Sequence, residues 1–183
     1  MKSIMIDMDE VMVGGGLLHL INEYLGTSYV EADFKDFYMQ DVVPNKEEFF
    51  KFFLTRNQYD YATLYPNVYE VLEEICKHYK VYIGTSYLYP EIVKESGIIM
   101  AYKYEYLLRT FPFLKPENLV FLVDKSVLNC HIKLDDRIDN LKGAETKLLF
   151  SSYHNIDIND EELKKDNVIR INNWLELKDF LLK

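Results

Sequence analysis

Short apolar runs separated by amphipathic stretches recur along most of the chain, and their spacing predicts its elements. Lys2 to Ile6 (KSIMI) is an apolar run ended by carboxylates, which fits a buried parallel strand whose carboxyl end opens onto polar chemistry. Gly14 to Gly16 follow, and Leu17 to Leu25 reads as an amphipathic helix closed by Gly26. From Thr27 to Tyr65 the pattern turns aromatic and acidic, with one helical stretch at Lys46 to Leu54 and no convincing β run. Alternation then resumes. The pattern predicts a helix at Val68 to Tyr79, a strand at Val81 to Gly84, a helix at Ala101 to Phe111 and a strand at Leu119 to Val123. Strands at Ile132 to Leu134, Lys147 to Phe150 and Val168 to Ile171 come next, and a helix at Trp174 to Leu182 closes the series. Strands alternating with helices imply an α/β fold with a mostly parallel sheet. No repeat or low-complexity segment interrupts it.

At 183 residues, the chain can bury one substantial core and carry a small insertion. The expected division is a core of residues 1–13 and 65–183 with a helical cap at 14–64. Hydrophobic residues at 49% and charged residues at 28% describe a folded protein rather than a disordered one. A net charge of -9 argues against a grip on nucleic acid polymers or anionic membranes, which needs clustered Lys and Arg. A small anionic substrate needs only a few local cations or a metal. The first apolar run is too short for a signal peptide or a membrane span, so a cytoplasmic location is expected. Cys76 and Cys130 lack CxxC partners and read as apolar residues, while His19, His78 and His131 lack metal-ligand spacing. His154 reads equally as rim or loop support, and the abundant tyrosines read first as core and rim. Gly14 to Gly16 have the wrong spacing for a dinucleotide fingerprint and suit a hinge to the cap. Oligomeric state stays open between monomer and homodimer.

Ligands of open parallel sheets bind beyond the carboxyl ends of the strands, so those ends carry the candidate chemistry. Asp7 and Asp9 follow the first strand, Thr85 and Ser86 follow the VYIG strand, and Asp124-Lys125-Ser126 follows Leu119 to Val123. Asp135-Asp136-Arg137 follows Ile132 to Leu134. Residues two apart on a strand point the same way, so Asp7 and Asp9 can reach one site. Converging carboxylates repel unless a cation intervenes, and an oxygen-only ligand set suits Mg²⁺. One carboxylate can then attack phosphorus while a neighbour carries the proton. A Lys and a hydroxyl facing the phosphoryl oxygens would offset the charge spread over them. A lone DxD is a turn or cap and a lone DD a solvated loop; what points to chemistry is the ordered set at successive strand ends.

That order resembles the four motifs of the haloacid dehalogenase superfamily: Asp7-Met8-Asp9-Glu10-Val11, Thr85-Ser86, Lys125 and Asp135-Asp136. Within it the chain looks most like the 5'(3')-deoxyribonucleotidases, through Asp124-Lys125-Ser126, Leu134 to Arg137, Gly143-Ala144-Glu145 and Leu149 to Asn155. The resemblance implies a Rossmannoid three-layer core with a small helical cap inserted after the first strand. It implies hydrolysis of a small phosphate ester, a (deoxy)nucleoside monophosphate, through an aspartyl-phosphate. Asp7 would be the nucleophile and Asp9 the acid and base. Mg²⁺ would be held by Asp7, the backbone carbonyl of Asp9, and Asp136, with Asp135 in support. Ser86, Lys103 and Lys125 would contact phosphate, with Thr85 close by; Lys103 reads equally as a solvated face at the start of its helix. Phe37, Tyr38 and Met39 would hold the base, and Arg137 would lie near sugar and base. Two departures touch substrate choice: Glu10 replaces a common Gly, and Gly15 stands where some members carry an aromatic. The same residues leave open a sugar phosphate as substrate, or a silent nucleotide-binding module. A receiver-like phosphoacceptor is disfavoured by the long insertion after the first strand.

Overall fold

The computed structural model describes residues 1–183. The strands are β1 (Ser3–Ile6), β2 (Val13–Gly14), β3 (Thr63–Leu64), β4 (Lys80–Thr85), β5 (Leu119–Phe121), β6 (Cys130–Asp135), β7 (Ala144–Phe150) and β8 (Val168–Ile171). The α-helices are α1 (Gly16–Leu25), α2 (Lys46–Phe53), α3 (Val68–His78), α4 (Ser96–Thr110), α5 (Asp160–Lys165) and α6 (Trp174–Leu181). Six strands form one sheet in the order β5-β4-β1-β6-β7-β8, every neighbouring pair parallel. The chain runs outward from β1 through β4 to β5 and then returns to β6 on the other side. Its direction across the sheet therefore reverses at β1, where such sheets open a crevice for ligands.

Side-chain alternation divides the core. Ile4 and Ile6 of β1, Leu134 of β6, and Leu148 and Phe150 of β7 join Val71 and Ile75 of α3 and Trp174 and Leu177 of α6 in the main cluster. Leu149 points the other way, towards Leu141, Leu163 of α5 and Val168. Fully buried Trp174 donates its indole N–H to the Val11 carbonyl at 2.8 Å, which ties α6 to the turn after β1. A second cluster lies in the insertion, where Leu20 and Ile21 of α1 and Phe49, Phe50 and Phe53 of α2 meet Met39. Ile92 and Ile99, from the segment after β4, complete it, so the insertion is bolted to the core body. The antiparallel pair β2 and β3 brings its two ends together, Val13 opposite Leu64 and Gly14 opposite Thr63.

Most predicted elements recur with ends shifted by a residue or two, and a few differ more. α4 begins at Ser96 rather than Ala101, which puts Lys103 in mid-helix. The stretch to Tyr65 holds the short strand β3, and α5 is an extra helix. β6 and β7 each start earlier than their apolar runs. No helix is long and apolar enough to cross a membrane.

Candidate active site

The backbone after β1 turns sharply. Met12 N–H donates to the Met8 carbonyl at 2.8 Å and Glu10 N–H to that of Val13 at 2.9 Å, with Glu10 at φ 58°. A left-handed conformation is costly for a residue with a side chain, so glycine would be easier there. Glu10 is held in place by Tyr65, whose hydroxyl donates to its Oε2 at 2.8 Å. Burial pushes the Glu10 carboxyl up to about 8, against the lowering effect of the Tyr65 hydrogen bond. The turn leaves Asp7 and Asp9 facing one cleft of ≈ 280 Å³ between core and insertion.

Asp7 Oδ1 accepts the Met8 N–H at 2.7 Å, and its Oδ2 lies 2.6 Å from Lys125 Nζ. The same ammonium donates to Asp135 Oδ2 at 2.7 Å. Asp135 Oδ1 accepts from Asn140 Nδ2 at 2.9 Å and from the Arg137 N–H at 3.0 Å, so both of its oxygens are engaged. Asp135 therefore tethers Lys125. Buried Lys133 donates to the Lys125 carbonyl at 2.7 Å and fixes that turn from below. Asp136 Oδ2 lies 2.7 Å from His154 Nε2, while its Oδ1 has no protein partner. Asn155 donates to the Asp136 and Phe150 carbonyls, both at 2.8 Å, and so holds that loop.

Ligand atoms of Asp7, Asp135 and Asp136 lie within 4.8 Å of one another, and all three residues are buried. Burial is the main force pushing all three carboxyls upward, Asp7 to about 7, and the neighbouring carboxylates add to it. Burial works against charge on Lys125, but Asp7 and Asp135 outweigh it and hold the ammonium protonated well above its usual range. Three crowded carboxylates facing one lysine leave a surplus of negative charge. Oxygen donors with that surplus fit a hard divalent cation.

Asp9 turns away from this trio. Its side chain pairs with Lys103 Nζ and accepts the Tyr59 hydroxyl at 2.9 Å. Lys103 is only 3% exposed and also donates to Thr85 Oγ1 at 2.7 Å. It belongs to the site and not to a solvated face. The carboxylate of Asp9 thus lies outside the acidic trio, and the group that the resemblance implies as a cation ligand at this residue is its backbone carbonyl. Ser86 lines the cleft and Thr85 lies buried beneath it.

On the insertion side Phe37 and Tyr38 are exposed at the rim, whereas Met39 is buried in the insertion's own cluster while still lining the cleft. The Arg137 guanidinium stands 4.7 Å over the Phe37 ring. Tyr153 donates its hydroxyl to the Phe37 carbonyl at 2.7 Å, and the His154 ring meets Phe37 edge-on at 5.1 Å. The sequence reading missed Tyr59 and Gln58, which join the site through contacts far apart in sequence, and left His154 divided between rim and loop support; its hydrogen bond to Asp136 puts it in the site. A weak signal existed for His154 in its block after β7. For Tyr59 there was none beyond its residue type.

Comparison with known proteins matches residues 1–183 to the family described as "5' nucleotidase, deoxy (Pyrimidine), cytosolic type C protein". A Staphylococcus aureus (strain Mu50) protein described as "Putative 5'(3')-deoxyribonucleotidase" is 27% identical over 185 residues, covering 99% of this chain and 96% of that one. The 5'(3')-deoxyribonucleotidase of Bacillus subtilis (strain 168) is 33% identical over 114 residues, 61% of this chain and 58% of its own. Among solved structures, a haloacid dehalogenase family hydrolase from Deinococcus radiodurans R1 shares the fold at TM-score 0.53 and 12% identity, covering 96% of this chain and 93% of that one. A hydrolase from Pseudomonas syringae does so at TM-score 0.52 and 14% identity, covering 99% and 98%. With its whole length matched and its chemistry gathered at the reversal of a parallel sheet, the chain belongs to the "5' nucleotidase, deoxy (Pyrimidine), cytosolic type C protein" family of phosphoric monoester hydrolases.

Proposed function

We propose that this enzyme hydrolyses (deoxy)nucleoside monophosphates to nucleoside and phosphate through a phosphoryl adduct on Asp7. The observation that carries the reading is the cleft itself. Its floor holds Asp7 against Lys125, and its insertion wall carries the Phe37 ring beneath Arg137. Asp7, the backbone carbonyl of Asp9, and Asp136 would hold Mg²⁺. When bound, the cation would neutralise the carboxylate surplus and polarise a phosphoryl oxygen.

Asp7 attacks phosphorus, and the bond from phosphorus to the ester oxygen breaks. Asp9, protonated for this step, gives its proton to the leaving alkoxide. Lys103 lies between Asp9 and Thr85, so a phosphoryl group entering beside Ser86 would compete for its ammonium and loosen its hold on Asp9. Water then attacks the phosphoryl group and gives a proton to Asp9, which releases phosphate and restores Asp7. Lys125 stays on Asp7 and offsets the negative charge at the reacting carboxylate.

The test is a panel of phosphate esters assayed with Mg²⁺: deoxynucleoside 5'- and 3'-monophosphates, ribonucleoside monophosphates, hexose phosphates and p-nitrophenyl phosphate. Nucleoside monophosphates should lead in kcat/KM by at least about tenfold. Faster turnover of hexose phosphates would move the substrate elsewhere while keeping the chemistry.

A further inference from the structure

Two buried glutamines line the cleft, and they differ in one respect. Gln58 is satisfied at both ends, donating from Nε2 to the Tyr59 hydroxyl at 3.0 Å and accepting the Tyr89 hydroxyl on Oε1 at 3.4 Å. Gln40, 3% exposed, makes no side-chain hydrogen bond at either amide atom, yet neither atom is sealed from solvent. Its amide therefore meets the open space of the cleft. The residue is fixed from behind: the turn Met39–Val42 is closed by Val43 N–H to the Gln40 carbonyl at 3.1 Å, and Met39 and Val43 are buried in the insertion's core.

A polar group that has lost most of its water and gained no partner costs free energy, which a ligand can recover by pairing with it. A carboxamide presents a donor and an acceptor side by side, and a half-turn about its last bond reverses their order. That pattern matches the N3–H and C4=O edge of uracil or thymine, and reversed it matches N3 and the amine of cytosine. A phosphate or a sugar hydroxyl makes no comparable planar pair. Gln40 lies three residues beyond Phe37, whose ring offers a face for stacking on the same wall.

We propose that Gln40 reads the hydrogen-bonding edge of a pyrimidine base, so that it determines specificity for base-bearing substrates. The inference rests on the nucleotidase reading above. It goes further in assigning the edge of the base to one side chain.

The experiment compares wild type with Gln40→Met, which keeps the length and removes the amide, on deoxyuridine monophosphate, its N3-methyl analogue and p-nitrophenyl phosphate. Wild type should favour the unmethylated nucleotide over the methylated one by about 10- to 100-fold in kcat/KM. In Gln40→Met that preference should collapse to within about threefold, and the ratio of nucleotide to p-nitrophenyl phosphate turnover should fall by a similar factor. A wild type indifferent to N3-methylation, or a variant that keeps the preference, overturns the role of Gln40. Equal losses on nucleotide and p-nitrophenyl phosphate overturn it too, since packing alone would then explain the variant. A wild type that turns over p-nitrophenyl phosphate and no nucleoside monophosphate overturns the nucleotidase reading itself.

Discussion

Lys125 connects the two carboxylates that most need a cation. It is buried between Asp7 and Asp135, at 2.6 and 2.7 Å, and has no third acidic partner. Lys125→Met should leave those carboxylates facing each other with no internal cation, at a cost of about 3–5 kcal/mol in stability measured by denaturant unfolding in EDTA. Mg²⁺ should restore part of the loss, and a variant as stable as wild type would contradict the ion-pair account. Asp7→Asn keeps the volume and removes the nucleophilic charge. Steady-state turnover should fall by at least about a thousandfold, with the circular dichroism spectrum unchanged. Asp7, Lys125 and Asp136 were legible from the sequence because each follows an apolar run by one or two residues. Tyr59 and Gln40 were not, since their meaning lies in a partner across the fold, or in the lack of one, and His154 was legible only as a choice between rim and loop support. Lys103 stayed evenly divided between a phosphate contact and a solvated face, because a single lysine in an amphipathic stretch ordinarily points to water.

Helices and strands with a strong apolar pattern could be read from the sequence, and those without one could not. α5 (DEELKK) buries only Leu163, so it has no periodicity; its one signal was Asn159, whose side chain accepts the Glu161 N–H at 2.8 Å. α4 starts early because Ser96 is buried and tied back, donating its hydroxyl to the Ile92 carbonyl at 2.9 Å, while Glu95 gives no capping signal. β2 and β3 are two residues each, too short to show alternation. The insertion's core has a consequence of its own. Phe49 is fully buried among Tyr24, Phe50 and Phe53, and the cluster reaches Ile92 and Ile99 outside the insertion. Phe49→Ala should cost about 3–5 kcal/mol, and hydrogen exchange should quicken together in residues 46–53 and 90–99. Faster exchange confined to α2 would show that the insertion opens on its own.

Across the whole molecule, the buried acidic site should set the pH dependence of stability. Folding pushes Asp7 up to about 7 from 3.8 and Glu10 up to about 8 from 4.5, with Asp135 and Asp136 raised as well. Between the ordinary and the raised values the folded state holds protons that the unfolded state has lost, so stability falls as pH rises from about 4 to 8. Lys125 adds no slope there, because it is charged in both states. Exposed paired carboxylates such as Glu74 and Asp139 are shifted downward and act only below about pH 5. The melting temperature in EDTA should therefore drop from pH 5 to pH 8, and Mg²⁺ should flatten the decline. A melting temperature that rises over that range in EDTA would contradict the burial argument. The same crowding of carboxylates underlies the chemistry assigned to Asp7, and the covalent adduct is where it is tested most directly. Enzyme mixed with a deoxynucleoside monophosphate and Mg²⁺, quenched in acid within milliseconds and digested, should yield a phosphorylated peptide with the phosphoryl group on Asp7. A burst of nucleoside with no adduct, or an adduct on any other residue, would contradict the account.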